Sequence, residues 1–307
     1  MSKKCPECSS TNPDEALFCH DCGGSFSSVN KKAPVILDNR YEIRKIIKSG
    51  AMGCLYKAWD TRLGTFTAIK KITITDPDGS DEYYTGCFKK EAAILSSLHH
   101  EGLPFVIDFF SEKDIETSKQ AHYIIMTYID GMDLEEIMEE RNENPLTVEE
   151  ATDIFMQILD ILDYLHSQSP PVIYRDLKPS NVMMSNGRVF LVDFGIAKIL
   201  NEGKKGTSIG TPGYAAPEQY NGYADERSDI FSLGVLMHYL LSGKEPNGMT
   251  FTFERLRNIN NQIPDYLDEI IMRMLSLFSD QRPKSAKVIK ERFRQKQSEI
   301  TLNDITT

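Results

Sequence analysis

The hydrophobic period of the chain changes once, and that change limits its fold more than any other feature. From Arg40 onward, YEIRKII and CLYKAWD flank the short segment KSGAMG, and TFTAIKKITIT, FVIDFFS and AHYIIMTYI follow. Alternation and β-branched runs of this kind predict strands. Among them, GCFKKEAAILSSLHH places Phe88, Ala92, Leu95 and Leu98 at helical spacing. Beyond Gly131 the helical period takes over. EEATDIFMQILDILDYLHSQ predicts an amphipathic helix, and the nearly all-apolar SDIFSLGVLMHYLLSG a buried one. A strand-rich part of about 90 residues thus precedes a helix-rich part of about 165. Strands and helices segregated in this way give an α+β order.

Composition narrows the function classes. The 307 residues include 40% hydrophobic and 26% charged side chains, which is ordinary globular usage. The formal net charge is -10, a balance that disfavours a nucleic-acid or anionic-membrane partner. No run reaches the 18 or so apolar residues of a membrane helix. MSKKCPECSS has no apolar signal core, so a cytoplasmic location is expected. Two stretches are strongly charged: residues 133–150, with eight acids, and 282–296, with seven Lys or Arg. Both read as solvated helical faces.

Four of the six cysteines fall in the first 22 residues, as Cys5-Pro-Glu-Cys8 and Cys19-His-Asp-Cys22. Two such knuckles can aim four thiolates at one ion, the arrangement of a closed structural zinc site. So short a module buries too little apolar surface to fold alone, and metal supplies the missing free energy. His20 falls outside a complete four-sulfur set. The module resembles short zinc ribbons, which bind proteins, bind nucleic acid or serve as folded caps. Few basic residues and little aromatic interleaving argue against nucleic acid, which leaves a protein partner or a folded cap. The resulting division is a ribbon at 1–26, a polar linker at 27–39, a main domain at 40–296 divided near residue 130, and a tail at 297–307.

The main domain carries ordered motifs. Ser49-Gly50-Ala51-Met52-Gly53 lies between two strands. Ala68-Ile69-Lys70 follows on a strand and Glu91 on the next helix. Then come Tyr174-Arg175-Asp176-Leu177-Lys178-Pro179-Ser180-Asn181, Asp193-Phe194-Gly195 and Ala216-Pro217-Glu218. Their order and spacing closely resemble the eukaryotic-type serine/threonine protein kinases over about residues 40–295, with the bacterial members nearest.

The resemblance implies a bilobal protein kinase fold, with a β-rich lobe at 40–129 and a helical lobe at 130–296. It implies ATP-dependent phosphorylation of protein Ser/Thr hydroxyls, including autophosphorylation of the activation segment. Ile47, Lys48, Ser49, Gly50, Ala51, Met52, Gly53 and Cys54 would cover the phosphates, with Lys48 standing where the family has its first glycine. Leu55, Ala68, Met126, Thr127, Tyr128 and Met183 would hold the adenine. Lys70 would hold phosphate and pair with Glu91. Asp176 would accept the substrate proton, Lys178 would neutralise the γ-phosphoryl, and Asn181 and Asp193 would bind magnesium, or manganese in its place.

Tyr174 replaces the family's usual His and would pack against Phe194 without acting as a proton donor. Asp229 would tie down the catalytic-loop backbone, and Glu218 would pair with Arg282. Arg175 implies an anion on the activation segment: Thr207 or Ser208 is the candidate phosphosite, whereas Thr211 would bond Asp176. The alternative is a pseudokinase or scaffold recruiting partners through the ribbon. It predicts a lost Lys, Asp or Asn, and none is lost.

Overall fold

The computed structural model describes residues 2–5, 9–13, 16, 19, 26, 35–50, 53–72, 81–113, 120–193, 211–246 and 250–306. For Gly50, 81–84, Cys87, Glu91 and 300–306 it describes the backbone alone. The chain divides into two compact units. One comprises residues 1–99 and 104–129, the other 100–103 and 130–307. Among the described residues, no helix is long and apolar enough to cross a membrane.

The first unit opens with a hairpin, β1 (Ser2–Lys4) and β2 (Thr11–Pro13). Beside it Cys5, Cys19 and Phe26 are buried in one small cluster. The larger element is a six-stranded antiparallel sheet. Its strands are β3 (Ile36–Leu37), β4 (Tyr41–Gly50), β5 (Gly53–Asp60), β6 (Thr65–Ile72), β7 (Val106–Lys113) and β8 (Gln120–Thr127). Their order across the sheet is β3-β4-β5-β6-β8-β7. Period-two alternation sorts the side chains. Tyr41, Ile43, Tyr56, Ala58, Ile69, Tyr123 and Ile125 form one core cluster. The residues between them face the other way. Helix α1 (Asp81–Ser97) buries Phe88 and Ala92, and the Phe88 ring meets Phe109 and His122. At the sheet corner Arg40 grips the buried Asp60 at 2.7 Å, and Asp60 also accepts the amides of Arg62 and Leu63 in the β5–β6 turn.

The second unit is built on two long helices. Short strand β9 (Met132–Asp133) and helix α2 (Leu134–Glu140) lead into α3 (Val148–His166). Thr147 caps α3 and Glu150 reaches back to the Thr147 amide, a reciprocal capping box. The apolar stripe of α3, including Phe155, Ile158 and Leu162, is buried. Strands β10 (Val182–Ser185) and β11 (Arg188–Leu191) form a three-stranded sheet with β9. Helix α4 (Glu226–Ser242) is buried from Ser228 to Leu241, as its nearly continuous apolar sequence predicts. Helices α5 (Leu256–Ile259), α6 (Asp265–Met274) and α7 (Ala286–Thr306) follow. Phe293 of α7 packs edge-on against Phe155 and Tyr266.

One backbone position in the sheet tolerates only glycine. Gly53 has φ +136°, and a Cβ there would stand 1.9 Å from the Lys71 carbonyl oxygen. Gly86 sits inside α1, where an added Cβ would meet nothing within 4 Å. Gly53→Ala should therefore lower stability by roughly 1–3 kcal/mol. Gly86→Ala should raise it by roughly 0.5–1 kcal/mol. Thermal unfolding of both variants checks the opposite signs.

Candidate active site

The loop between α3 and β10 gathers most of the chemistry of the second unit, and its anchor is a buried carboxylate. Asp229, in the first turn of α4, has a fully buried side chain. It accepts the Tyr174 amide at 2.8 Å and the Arg175 amide at 2.7 Å. It also takes a bond from His166 Nε2 at 2.9 Å. His166 Nδ1 is buried without a partner, so the proton belongs on Nε2. These bonds hold Arg175 at φ 69°, a left-handed conformation costing about 1–2 kcal/mol for a non-glycine residue.

That turn presents Asp176 to three partners. Its Oδ1 accepts the Thr211 hydroxyl at 2.9 Å. Its Oδ2 accepts Asn181 Nδ2 at 3.0 Å, and the Lys178 ammonium lies 3.6 Å from the same oxygen. Lys178 Nζ also donates to Thr211 Oγ1 at 3.0 Å. Asp176, Lys178, Asn181 and Thr211 thus form one hydrogen-bonded group. Asn181 is 1% exposed, and its Oδ1 is buried with no hydrogen-bond partner among the described residues. The Val192 amide donates to the Asn181 carbonyl at 3.0 Å, which brings the approach to Asp193 alongside.

Tyr174 lies beneath. Its hydroxyl donates to the Val192 carbonyl and, at 3.3 Å, to that of Asn181. The phenol thus bonds backbone, which an aromatic ring without a hydroxyl could not do, while Phe194, its expected packing partner, lies outside the described residues. Burial, then the nearby Asp193, Asp176 and Asp229 carboxylates, push that hydroxyl well above its usual pKa, so it stays a donor.

In the first unit, register decides which residues share a face. Leu55 lies opposite Lys70, Lys57 opposite Ala68, Ala68 opposite Met126, and Lys70 opposite Ile124. Leu55, Ala68, Lys70 and Met126 therefore line one face, opposite the core cluster. Ile47, Lys48 and Ser49 end β4, and Ser49 Oγ lies 3.3 Å from Cys54 Sγ across the turn. Thr127 ends β8, where its hydroxyl accepts the Phe105 amide at 3.0 Å. The Tyr128 ring lies 4.0 Å from Lys57 Nζ. Met183 is on β10, paired with Asp133 and Phe190. Glu91 lies on α1, but its side chain is outside the described residues, as are Ala51, Met52, Phe194, Thr207, Ser208, Cys8 and Cys22.

Sequence reasoning missed His166 and Gln219. Gln219 Nε2 donates to the Arg175 carbonyl at 3.0 Å while its Oε1 accepts the Ala216 amide. A histidine closing an apolar helix stripe was the available signal for His166, whereas Gln219 gave none.

Glu218 and Arg282 pair as expected. Every N–H of the buried Arg282 guanidinium is used: two go to Glu218 at 2.6 and 2.9 Å, and three to the carbonyls of Ser276, Arg227 and Leu277. Ser228 Oγ adds a bond to Glu218 at 2.7 Å.

A family model described as protein kinase domain matches residues 41–294, and the chain belongs to that family. A relative named as a probable serine/threonine-protein kinase, from Clostridium perfringens, is 32% identical over 270 residues, 83% of this chain and 38% of its own. The serine/threonine-protein kinase PknA of Mycobacterium tuberculosis is 31% identical over 223 residues, 71% of this chain and 50% of its own. The chain thus spans half or less of the length of these relatives. The crystal structure of the M. tuberculosis PknI kinase domain superposes with a TM-score of 0.67 at 24% identity, covering 87% of this chain and 99% of that one. That likeness supports the two-lobed kinase fold.

Burial works to raise the Glu218 pKa, but the Arg282 and Ser228 bonds outweigh it and hold the carboxyl below its ordinary value. A group depressed in the folded state contributes stability above its unfolded pKa and loses it as pH falls through the folded one. Glu218→Gln, which strands a buried cation, should cost roughly 3–5 kcal/mol at neutral pH. It should also flatten the acid side of the stability–pH curve. Denaturant unfolding between neutral and acid pH measures both.

Proposed function

We propose that the chain transfers the γ-phosphoryl group of ATP to serine and threonine hydroxyls of proteins. The observation that carries this reading is the Asp176 group, a carboxylate bonded to Asn181 and Thr211 beside the Lys178 ammonium. Family membership and the relatives' names support the substrate class. Asp176 orients the acceptor hydroxyl and takes its proton. Lys178, already bonded to Thr211, offers its charge to the γ-phosphoryl oxygens. The face bearing Leu55, Ala68 and Met126 suits a flat apolar ring, with Thr127 and Tyr128 following on the same strand end. Lys70 is assigned to the α and β phosphates, with Glu91 as its expected partner.

The partnerless buried Oδ1 of Asn181 fits a hard cation shared with Asp193, since oxygen donors suit magnesium or manganese. An ion held by these residues would supply positive charge against the phosphates. Asp176→Asn and Lys70→Met should each cut phosphate incorporation at least about 100-fold. Transfer of labelled phosphate followed by phosphoamino-acid analysis tests this. Undiminished incorporation, or phosphotyrosine as the main product, rejects the reading.

Activation in this reading includes phosphorylation of Thr207 or Ser208, which Arg175 would meet. Mass spectrometry of active enzyme locates the phosphate, and full activity in the double alanine variant would exclude it.

The amino-terminal module is proposed as a structural zinc ribbon and the contact for a protein partner. Cys5 and Cys19 are buried together. Cys19 Sγ lies 2.9 Å from Ser10 Oγ and 3.5 Å from the Asn12 amide nitrogen, donors of the kind that surround a zinc-bound thiolate. The hairpin turns at Ser9, φ 63°, directly after Cys8. Among the described residues no complete metal cluster is present, because Cys8 and Cys22 lie outside them. Elemental analysis should find one zinc per chain in the wild type and almost none in a Cys5→Ser, Cys19→Ser variant. Equal zinc in both would sink the assignment.

A further inference from the structure

The cations of the basic stretch 282–296 have different surroundings in the folded protein. Arg282 is consumed by Glu218 and three carbonyls. Lys290 turns inward to Asp160 and Asp163. Lys284 and Arg292 instead line a groove of about 330 Å³ between α6 and α7, together with Arg273 of α6. All three are exposed. Among the described residues no ion pair reaches Arg273 or Lys284, and Arg292 meets Glu269 only at 4.0 Å. The floor is apolar, formed by Ile270, Pro283, Val288 and Ile289. Val288 in the lining is 44% exposed, and Leu277 and Phe278, shortly before Asp280 in the chain, are 49% and 66% exposed. Asp280 is the one carboxylate in the lining.

We propose that this groove docks an acidic peptide segment of a partner protein, seating one or two apolar side chains on the floor and its carboxylates against Arg273, Lys284 and Arg292. Three arguments select that occupant. The chain is acidic overall at -10, so a local cationic rim runs against its own balance and suits an anionic partner. Exposed leucine, phenylalanine and valine side chains call for apolar contact that a simple anion would not supply. Three cationic side chains from two helices and the segment between them line the groove beside the apolar Ile270, Pro283, Val288 and Ile289, a spread of contacts that suits an extended chain segment. The inference concerns a surface and does not depend on the phosphoryl-transfer reading.

The test is fluorescence anisotropy of the full chain with a labelled short peptide carrying two leucines flanked by aspartates and glutamates. Control peptides replace the leucines by serine or the acids by lysine. Saturable binding of the acidic peptide is expected, and each control should lose it. Arg273→Glu with Lys284→Glu should weaken binding about tenfold and admit the lysine peptide. Val288→Asp should weaken it independently. All these positions are exposed, so unfolding temperatures should stay near wild type and report intact folding. Absence of binding, equal affinity for the acidic and lysine peptides, unchanged affinity in the double variant, or preference for phosphatidylglycerol vesicles over the peptide would each overturn the proposal.

Discussion

The buried Asp229 carboxylate is the constraint on which the catalytic loop depends. An ionised side chain with no exposure is costly unless its oxygens are bonded. Here the Tyr174 and Arg175 amides and the His166 ring supply those bonds. The same bonds fix the loop: Arg175 is held left-handed, and Asp176 is turned toward Asn181, Lys178 and Thr211. Because α4 is buried along nearly its whole length, the carboxylate itself cannot move without disturbing the core.

The neighbouring residue extends this anchor. Ser228 donates to Glu218, which Arg282 grips through both oxygens. Gln219, next to Glu218, reaches back to the Arg175 carbonyl. The chain therefore closes a ring from α4 to the catalytic loop, to the 216–219 turn, and back to α4. Arg282 braces that ring with three N–H donors, two to Glu218 and one to the Arg227 carbonyl, and ties it to the Ser276 and Leu277 carbonyls with the other two. Buried polar groups satisfied so fully specify one arrangement, since any shift would strand a charge. Thr211 couples the ring to Asp176 through a single hydroxyl that donates to the carboxylate and accepts from Lys178.

Much of this was legible in the sequence. The change of hydrophobic period is a local signal, and it marked the sheet strands, the long α3 and the buried α4. The motif order carried the family, Asp176, Lys178, Asn181 and Asp193, and the pairing of Glu218 with Arg282. Capping at Thr147 is also local, since it depends on the backbone within one turn, whereas the need for glycine at position 53 includes the approach of the Lys71 carbonyl from the next strand.

Tertiary structure alone decided the rest. Strand register, which long-range pairing sets, places Ala68 opposite Met126 and Leu55 opposite Lys70 on one face. His166 and Gln219 gained their roles only when residues 63 and 44 positions away reached them. The hydroxyl of Tyr174 is useful because folding brings the Val192 carbonyl beneath it, a meeting of residues 18 apart. The basic run 282–296 reads as one charged face in sequence, yet packing turns Lys290 inward and leaves Lys284 on a groove. Sequence determines which chemistry is available and its local geometry. Which donors meet which acceptors depends on chain crossings that only the packed core fixes.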